Sequence, residues 1–229
     1  MLLDAGGTLL HEEPSRFEIY AQVGRAYGLD VREPAMKQAM INAHDALPRV
    51  LGPHFRYSAP WFDAFIERVF VDQYGLEPAH LRALTRELFA RFEDPATFRL
   101  YPGALELVRS LRARGLRVGI VSNWSAALPG VLDSLGLGPE LDFQVISALE
   151  RCEKPEPEIF EIALRRAGAN PDEAAHVGDC PERDVRGAQA LGILAIRVDR
   201  RGAPSTSTAD HTVKDLIELE AWMRETATT

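Results

Sequence analysis

The chain has 229 residues, 46% of them hydrophobic, enough to bury a full core and to carry one large or two modest domains. Its net charge of −8, with lysines and arginines scattered, excludes the basic footprint of a nucleic-acid or anionic-membrane binder. No apolar stretch reaches the ~18–20 residues that span a bilayer, and two unclustered cysteines, Cys152 and Cys180, argue against zinc and for a reduced, cytoplasmic setting.

The chain opens on Met1-Leu2-Leu3, read as a buried strand that ends in Asp4 and the turn Ala5-Gly6-Gly7-Thr8. The strand is short against a usual five or six residues, so its start lies upstream or the strand is simply brief. The segment to Leu10 is too short and too acidic for a secretory signal. From about Pro14 to Phe92 the pattern is helical. Phe17, Tyr20, Ala21, Val23 and Gly24 share faces; so do Met36, Ala39, Met40 and Ala43, then Trp61, Phe62, Phe65, Ile66, Val69 and Phe70, then Leu81, Leu84, Leu88 and Phe92. Val50 to Tyr57, rich in breakers, reads as a loop between them.

After Tyr101-Pro102-Gly103 the texture changes to alternating helices and strands. Helix Ala104–Arg114 precedes strand Arg117–Val121; a helix to Leu135 precedes strand Phe143–Ile146. Helix Pro157–Ala167 precedes strand Ala175–Val177, and helix Pro181–Leu191 precedes strand Leu194–Val198. Gly202–Thr208 reads as a flexible loop and Asp215–Met223 as a closing helix. This alternation means βαβ units and an α/β, Rossmann-like parallel sheet with every strand end on one edge. The expected organisation is a core of residues 1–13 and 96–229, interrupted after the first strand by a helical bundle of residues 14–95.

Chemistry gathers at the carboxyl ends of these strands, where open α/β sheets bind ligands. Asp4 alone reads as a cap or turn residue. Three further strand ends change that reading: Ser122-Asn123 brings a hydroxyl and an amide, Lys154 is one of only three lysines in the chain, and Gly178-Asp179 is followed by Asp184. Nucleophile, hydroxyl, ammonium and metal-binding carboxylates converge on one edge.

That ordered set resembles the haloacid dehalogenase-like hydrolase superfamily over almost the whole chain. Asp4-x-Gly6-x-Thr8 is similar to its first motif, Ser122-Asn123 to the second, Lys154-Pro155 to the third, and Gly178-Asp179 with Asp184 to the fourth. The helical block resembles the family's C1 cap. The resemblance implies a magnesium-dependent hydrolase, phosphatase-like, acting on a small phosphorylated substrate through an aspartyl-phosphate, as a monomer or homodimer. It implies Asp4 as nucleophile and metal ligand, Gly6 as a metal ligand through its carbonyl, and Asp179, with Asp184 in support, as further metal ligands. Thr8, Ser122, Asn123 and Lys154 are implied to hold phosphate, with Lys154 also orienting Asp4.

One position departs from the family pattern. Its phosphatases carry a second acid where this chain has Gly6, and that acid protonates the leaving oxygen, a contribution of roughly 10²–10⁴-fold. Three readings follow. A phosphatase confined to leaving groups that need little protonation, or helped by His11, Glu12, Glu13 or His54, is the first. The second is different chemistry on the same site: 2-haloacid dehalogenases also lack the second acid but do not keep the metal motif, and phosphonate hydrolases need a cap lysine, for which Lys37 is the candidate. In the third, a weakened site binds a metabolite or a protein without turnover, with Phe55, Tyr57, Trp61, Phe62 and Phe65 as a surface, although such a stripe is ordinarily core. Trp124 either lines a pocket or packs under the cap. Cys180 reads as packing, and the run Arg197 to Arg201 as a solvated strand end.

Overall fold

The computed structural model describes residues 1–200, 202 and 208–226. The chain begins with β1 (Leu2–Leu3), turns at Asp4 to Leu9, and leaves along β2 (Leu10–Glu12). Four helices follow: α1 (Arg16–Ala26), α2 (Glu33–Ala46), α3 (Ala59–Glu67), and α4 (Pro78–Glu93). Between α2 and α3 the expected loop is instead a small antiparallel hairpin of β3 (Val50–Leu51) and β4 (His54–Phe55), because Gly52 at φ 58° closes a tight turn. The chain returns along β5 (Phe98–Leu100), which pairs with β2.

From there helices and strands alternate. They are α5 (Ala104–Ala113), β6 (Gly119–Ser122), α6 (Leu128–Ser134), β7 (Phe143–Ile146), the short α7 (Ser147–Glu150), α8 (Pro157–Ala167), and β8 (Ala175–Gly178). The brief α9 (Gly187–Gln189), β9 (Leu194–Val198), β10 (His211–Val213) and α10 (Leu216–Thr226) complete the chain. The strands form one parallel sheet in the order β10-β9-β8-β1-β6-β7. Residues Met1–His11 with Leu100–Thr229 form one compact unit, and Glu12–Arg99 the other.

Local sequence explains where the helices of the second unit begin. Ser15 caps α1 by accepting from the Glu18 N–H, while α2, α3 and α4 each place a proline in the first turn, where its missing N–H costs nothing. Their apolar faces meet in one cluster containing Tyr20, Met36, Trp61, Phe65, Phe70, Leu84 and Leu88. Tyr20 stacks on Phe70 with ring centroids 5.9 Å apart, and Trp61 on Phe65 at 5.5 Å. Trp61 also donates its indole N–H to the Pro48 carbonyl at 2.9 Å. Each such aromatic contributes about 2–3 kcal/mol by burial, so the Trp61 and Phe65 part of the stripe is core.

In the sheet unit, β1 is the centre and is fully buried, Leu2 and Leu3 both at 0% exposure. The chain visits β6 and β7 on one side of β1, then crosses to β8, β9 and β10 on the other. This reversal makes β1 and β8 the switch point, where the carboxyl ends of neighbouring strands leave a crevice for a ligand. Two expectations are corrected here. Pro181–Leu191 is not one regular helix but a π-type turn, Pro181–Arg186, leading into α9, because Asp184 is drawn inward by the bonds described below. The strand β10 was not foreseen, its three residues being too few for a periodic signal. The expected loop Gly202–Thr208 falls, apart from its two ends, outside the described residues. No helix among the described residues is long and apolar enough to cross a membrane.

Candidate active site

The switch point of the sheet carries the predicted acids. Asp4 follows β1, and its N–H bonds to the Val177 carbonyl of β8 at 2.9 Å; Asp179 follows β8. The turn after Asp4 is closed by Leu9 and Leu10 N–H groups on the Ala5 carbonyl at 2.8 and 3.0 Å, and by Gly7 N–H on the Leu10 carbonyl at 2.8 Å. Gly7 sits at φ 83°, and a Cβ there would meet Asp179 Oδ2 at 2.7 Å. Only glycine meets both conditions, so the turn lets the two acids approach.

Asp4 is 6% exposed, and its carboxylate accepts from three side-chain donors. Lys154 Nζ donates to Oδ1 at 2.7 Å, the Ser122 hydroxyl to the same oxygen at 3.1 Å, and the Thr8 hydroxyl to Oδ2 at 3.2 Å. Lys154 bridges onward to Asp184 Oδ1 at 2.6 Å. Asp184 also lies 3.0 Å from His176 Nε2 and accepts the Cys180 N–H at 2.9 Å. Burial alone would lower the Lys154 ammonium, but Asp184 and Asp4 outweigh it and raise it. Burial alone would raise Asp184; Lys154 and His176 hold its carboxyl below the usual carboxylate range. At Asp179, burial together with Asp4 and Asp184 outweighs Arg183 and Lys154 and pushes the carboxyl up to about 6.

Asp4, Asp179 and Asp184 each present an oxygen within 4.8 Å of the others. Three acids gather around the buried Lys154 ammonium, with Arg183 and Arg200 also acting on Asp179, and burial penalises so many carboxylates held together. Hard carboxylate oxygens in this number suit a divalent cation of the magnesium or calcium type, so the donor set fits the implied metal.

The structure brings together Asp4, Thr8, Ser122, Lys154, Asp179 and Asp184. Asn123 stands beside them with its amide turned to the Lys154 backbone: Nδ2 donates to the Lys154 carbonyl at 2.9 Å, and the Lys154 N–H donates to Oδ1 at 2.8 Å. That pairing anchors the loop carrying the lysine. Of the donors considered to replace a second acid, the His11 ring packs on Tyr101 with centroids 4.6 Å apart, Glu12 pairs with Arg16 at 2.6 Å, and Glu13 lies 3.4 Å from Arg99. His54 is exposed on the hairpin, and Lys37 is exposed with its ammonium 5.6 Å from the Phe17 ring centroid.

Two residues carry more than their sequence showed. His176, inside the buried strand β8, reads as core by its position, and only its contact with Asp184 reveals otherwise. Arg200 corrects the reading of Arg197 to Arg201 as a solvated strand end. It donates to the carbonyls of Gly7 and Thr8 at 2.5 and 2.8 Å and covers the Tyr101 ring at 3.6 Å. Arg197, within β9, is buried, 3.4 Å from Asp199, whereas Arg200 is half-buried and Arg201 lies outside the described residues.

Comparison with known proteins identifies the family. A family model described as haloacid dehalogenase-like hydrolase matches residues 1–192. The human haloacid dehalogenase-like hydrolase domain-containing protein 3 is 34% identical over 200 residues, 85% of this chain and 79% of that protein. A phosphoserine phosphatase of Thermus thermophilus is 32% identical, covering 96% of both chains. The crystal structure of a HAD phosphatase from Thermococcus onnurineus superposes with a TM-score of 0.69 at 27% identity, covering 97% of this chain and 96% of that one. The chain therefore belongs to the haloacid dehalogenase-like hydrolases.

Proposed function

We propose that this protein is a magnesium-dependent phosphatase that cleaves a small phosphorylated substrate through an aspartyl-phosphate on Asp4. The observation that carries this reading is the Asp4 carboxylate, buried and held by Lys154, Ser122 and Thr8 beside two further acids. A carboxylate so fixed is a preoriented nucleophile rather than a turn cap.

In the proposed reaction one Asp4 oxygen attacks phosphorus as the bond to the leaving oxygen breaks, its electron pair departing with that oxygen. Water then attacks the aspartyl-phosphate, releasing inorganic phosphate, returning the carboxylate and losing a proton to solvent. Lys154, Thr8 and Ser122 trade part of their hold on Asp4 for the phosphoryl oxygens, where charge develops. Asp4, Asp179 and the Gly6 carbonyl would hold magnesium, with Asp184 in support. The bound cation supplies positive charge against the phosphate dianion, which would otherwise repel the attacking carboxylate. Asn123 keeps Lys154 in register.

The test is phosphate release over a set of phosphorylated metabolites, with and without EDTA, for the native chain and Asp4→Asn. Native activity should vanish in EDTA and return with magnesium. Asp4→Asn should be inactive while still binding Mn²⁺, read by electron paramagnetic resonance. Activity in Asp4→Asn would remove the nucleophile from the scheme, and halide release from a 2-haloacid in EDTA would replace phosphorus with carbon as the centre attacked. Retained acids at 179 and 184 favour phosphorus, because a halide departs without a metal or a proton.

A further inference from the structure

Gly6 is not an empty place. A Cβ built on it would stand 2.6 Å from Trp124 Cζ3 and 3.4 Å from Cε3, the nearer well inside the ~3.5–4.0 Å at which carbons rest. The backbone of Trp124 is pinned. Its N–H donates to Ser147 Oγ at 3.0 Å, and its carbonyl accepts from the Ser147 hydroxyl at 3.2 Å and from the Ala148 N–H at 3.2 Å. Ser147 is fully buried, so only the side-chain torsions of Trp124 remain to move the indole. Both ends of the contact are tied to the same carboxylate: Gly6 lies two residues beyond Asp4, and Trp124 two beyond Ser122, which donates to Asp4.

We propose that Trp124 is the specificity-determining residue of this site. Its indole holds the place a side chain at position 6 would take, so the wall beside Asp4 presents ring carbons instead of a titratable group. A phosphoryl group attacked there leaves its partner oxygen with an electron pair and no donor from residue 6. Acyl and aryl phosphates tolerate this, because the departing carboxylate or phenolate spreads the charge through a planar group, and a planar group also packs well on an indole. Alkyl phosphates do not, because an alkoxide must be protonated as it leaves. The pair also accounts for the glycine: any larger residue at position 6 requires the Trp124 indole to move.

The inference rests on the phosphatase reading for the leaving group, but the Gly6–Trp124 packing is independent of it. The first experiment therefore needs no substrate. Melting temperatures are compared for the native chain, Gly6→Ala, Trp124→Ala and the double variant, with Trp124→Leu as a second background should Trp124→Ala not fold. Gly6→Ala should lower the melting temperature by roughly 3–10 °C, and most of that loss should vanish once Trp124 is truncated. An equal or absent effect of Gly6→Ala in the two backgrounds would overturn the packing claim. The second experiment measures kcat/KM on acetyl phosphate, p-nitrophenyl phosphate, phenyl phosphate and an alkyl phosphate. Native activity should fall steeply along that series. Gly6→Asp with Trp124→Ala should raise alkyl phosphate turnover roughly tenfold or more relative to Trp124→Ala, whereas Gly6→Asp alone should not. A flat native series, no gain in the double variant, or the full gain from Gly6→Asp alone each overturns the specificity role. No native turnover on any phosphate would instead defeat the phosphatase reading and, with it, the assigned leaving-group preference, leaving the packing claim to the melting cycle.

Discussion

At the scale of single residues, the site is a balance of charges around Lys154. Its ammonium is buried between Asp4 and Asp184, and removing one partner of a buried pair costs about 3–5 kcal/mol because the others are left uncompensated. Lys154→Met should therefore destabilise the metal-free protein by that order and abolish turnover, read by denaturant titration and phosphate release; an active variant would remove Lys154 from the chemistry. Asn123 acts one step further out. Asn123→Ala should lower kcat roughly 10–100-fold with little change in KM, because it loosens the lysine without touching a binding group, and a pure KM effect would make Asn123 a substrate ligand instead. Asp4, Ser122 and Asp179 are legible in sequence because each stands where an apolar run ends at the sheet edge, and Lys154 because it is one of only three lysines, although α7 separates it from the end of β7. His176 is not, since a histidine inside a buried strand carries no sign of the acid it faces, and the direction of Trp124 after its strand follows no periodicity.

At the scale of elements, the turn from Asp4 to Leu9 does the most positioning. Its glycine at φ 83° admits Asp179 within van der Waals reach, and Arg200 holds its outer carbonyls from the end of β9. Gly7→Ala meets both the left-handed backbone and the Asp179 carboxylate, so it should cost about 1–3 kcal/mol of stability. It should also weaken magnesium binding, measured by titration calorimetry, by at least roughly tenfold as Asp179 is displaced; unchanged affinity would take Asp179 out of the metal set. The helices and strands were legible where their apolar faces repeat over enough residues: Phe143–Ile146, Pro157–Ala167 and Leu194–Val198 have the bounds their pattern implies. Prediction failed where tertiary bonds decide. The turn Pro181–Arg186 widens because Asp184 is drawn to Lys154, His176 and the Cys180 N–H, and none of these contacts has a period.

At the scale of the whole molecule, the clustered acids make stability depend jointly on pH and on metal. Burial, with Asp4 and Asp184 beside it, raises the Asp179 carboxyl from 3.8 to about 6. Between those values the folded chain holds a proton that the unfolded chain has lost, so stability falls as pH rises through that window. The full change is about 3 kcal/mol once both states are ionised. Asp184 runs the other way, but its folded carboxyl is held low, so its contribution is lost only as pH drops below the ordinary carboxylate range. In EDTA, denaturant titrations from pH 4 to 7 should show native stability declining relative to Asp179→Asn, which has no proton to lose. Saturating magnesium should erase the decline, because a cation bound to the folded state alone adds stability in proportion to its affinity and favours the ionised acid. If the native and Asp179→Asn profiles run parallel in EDTA, the three acids are not competing for charge, and the case for a cation between them loses its electrostatic basis.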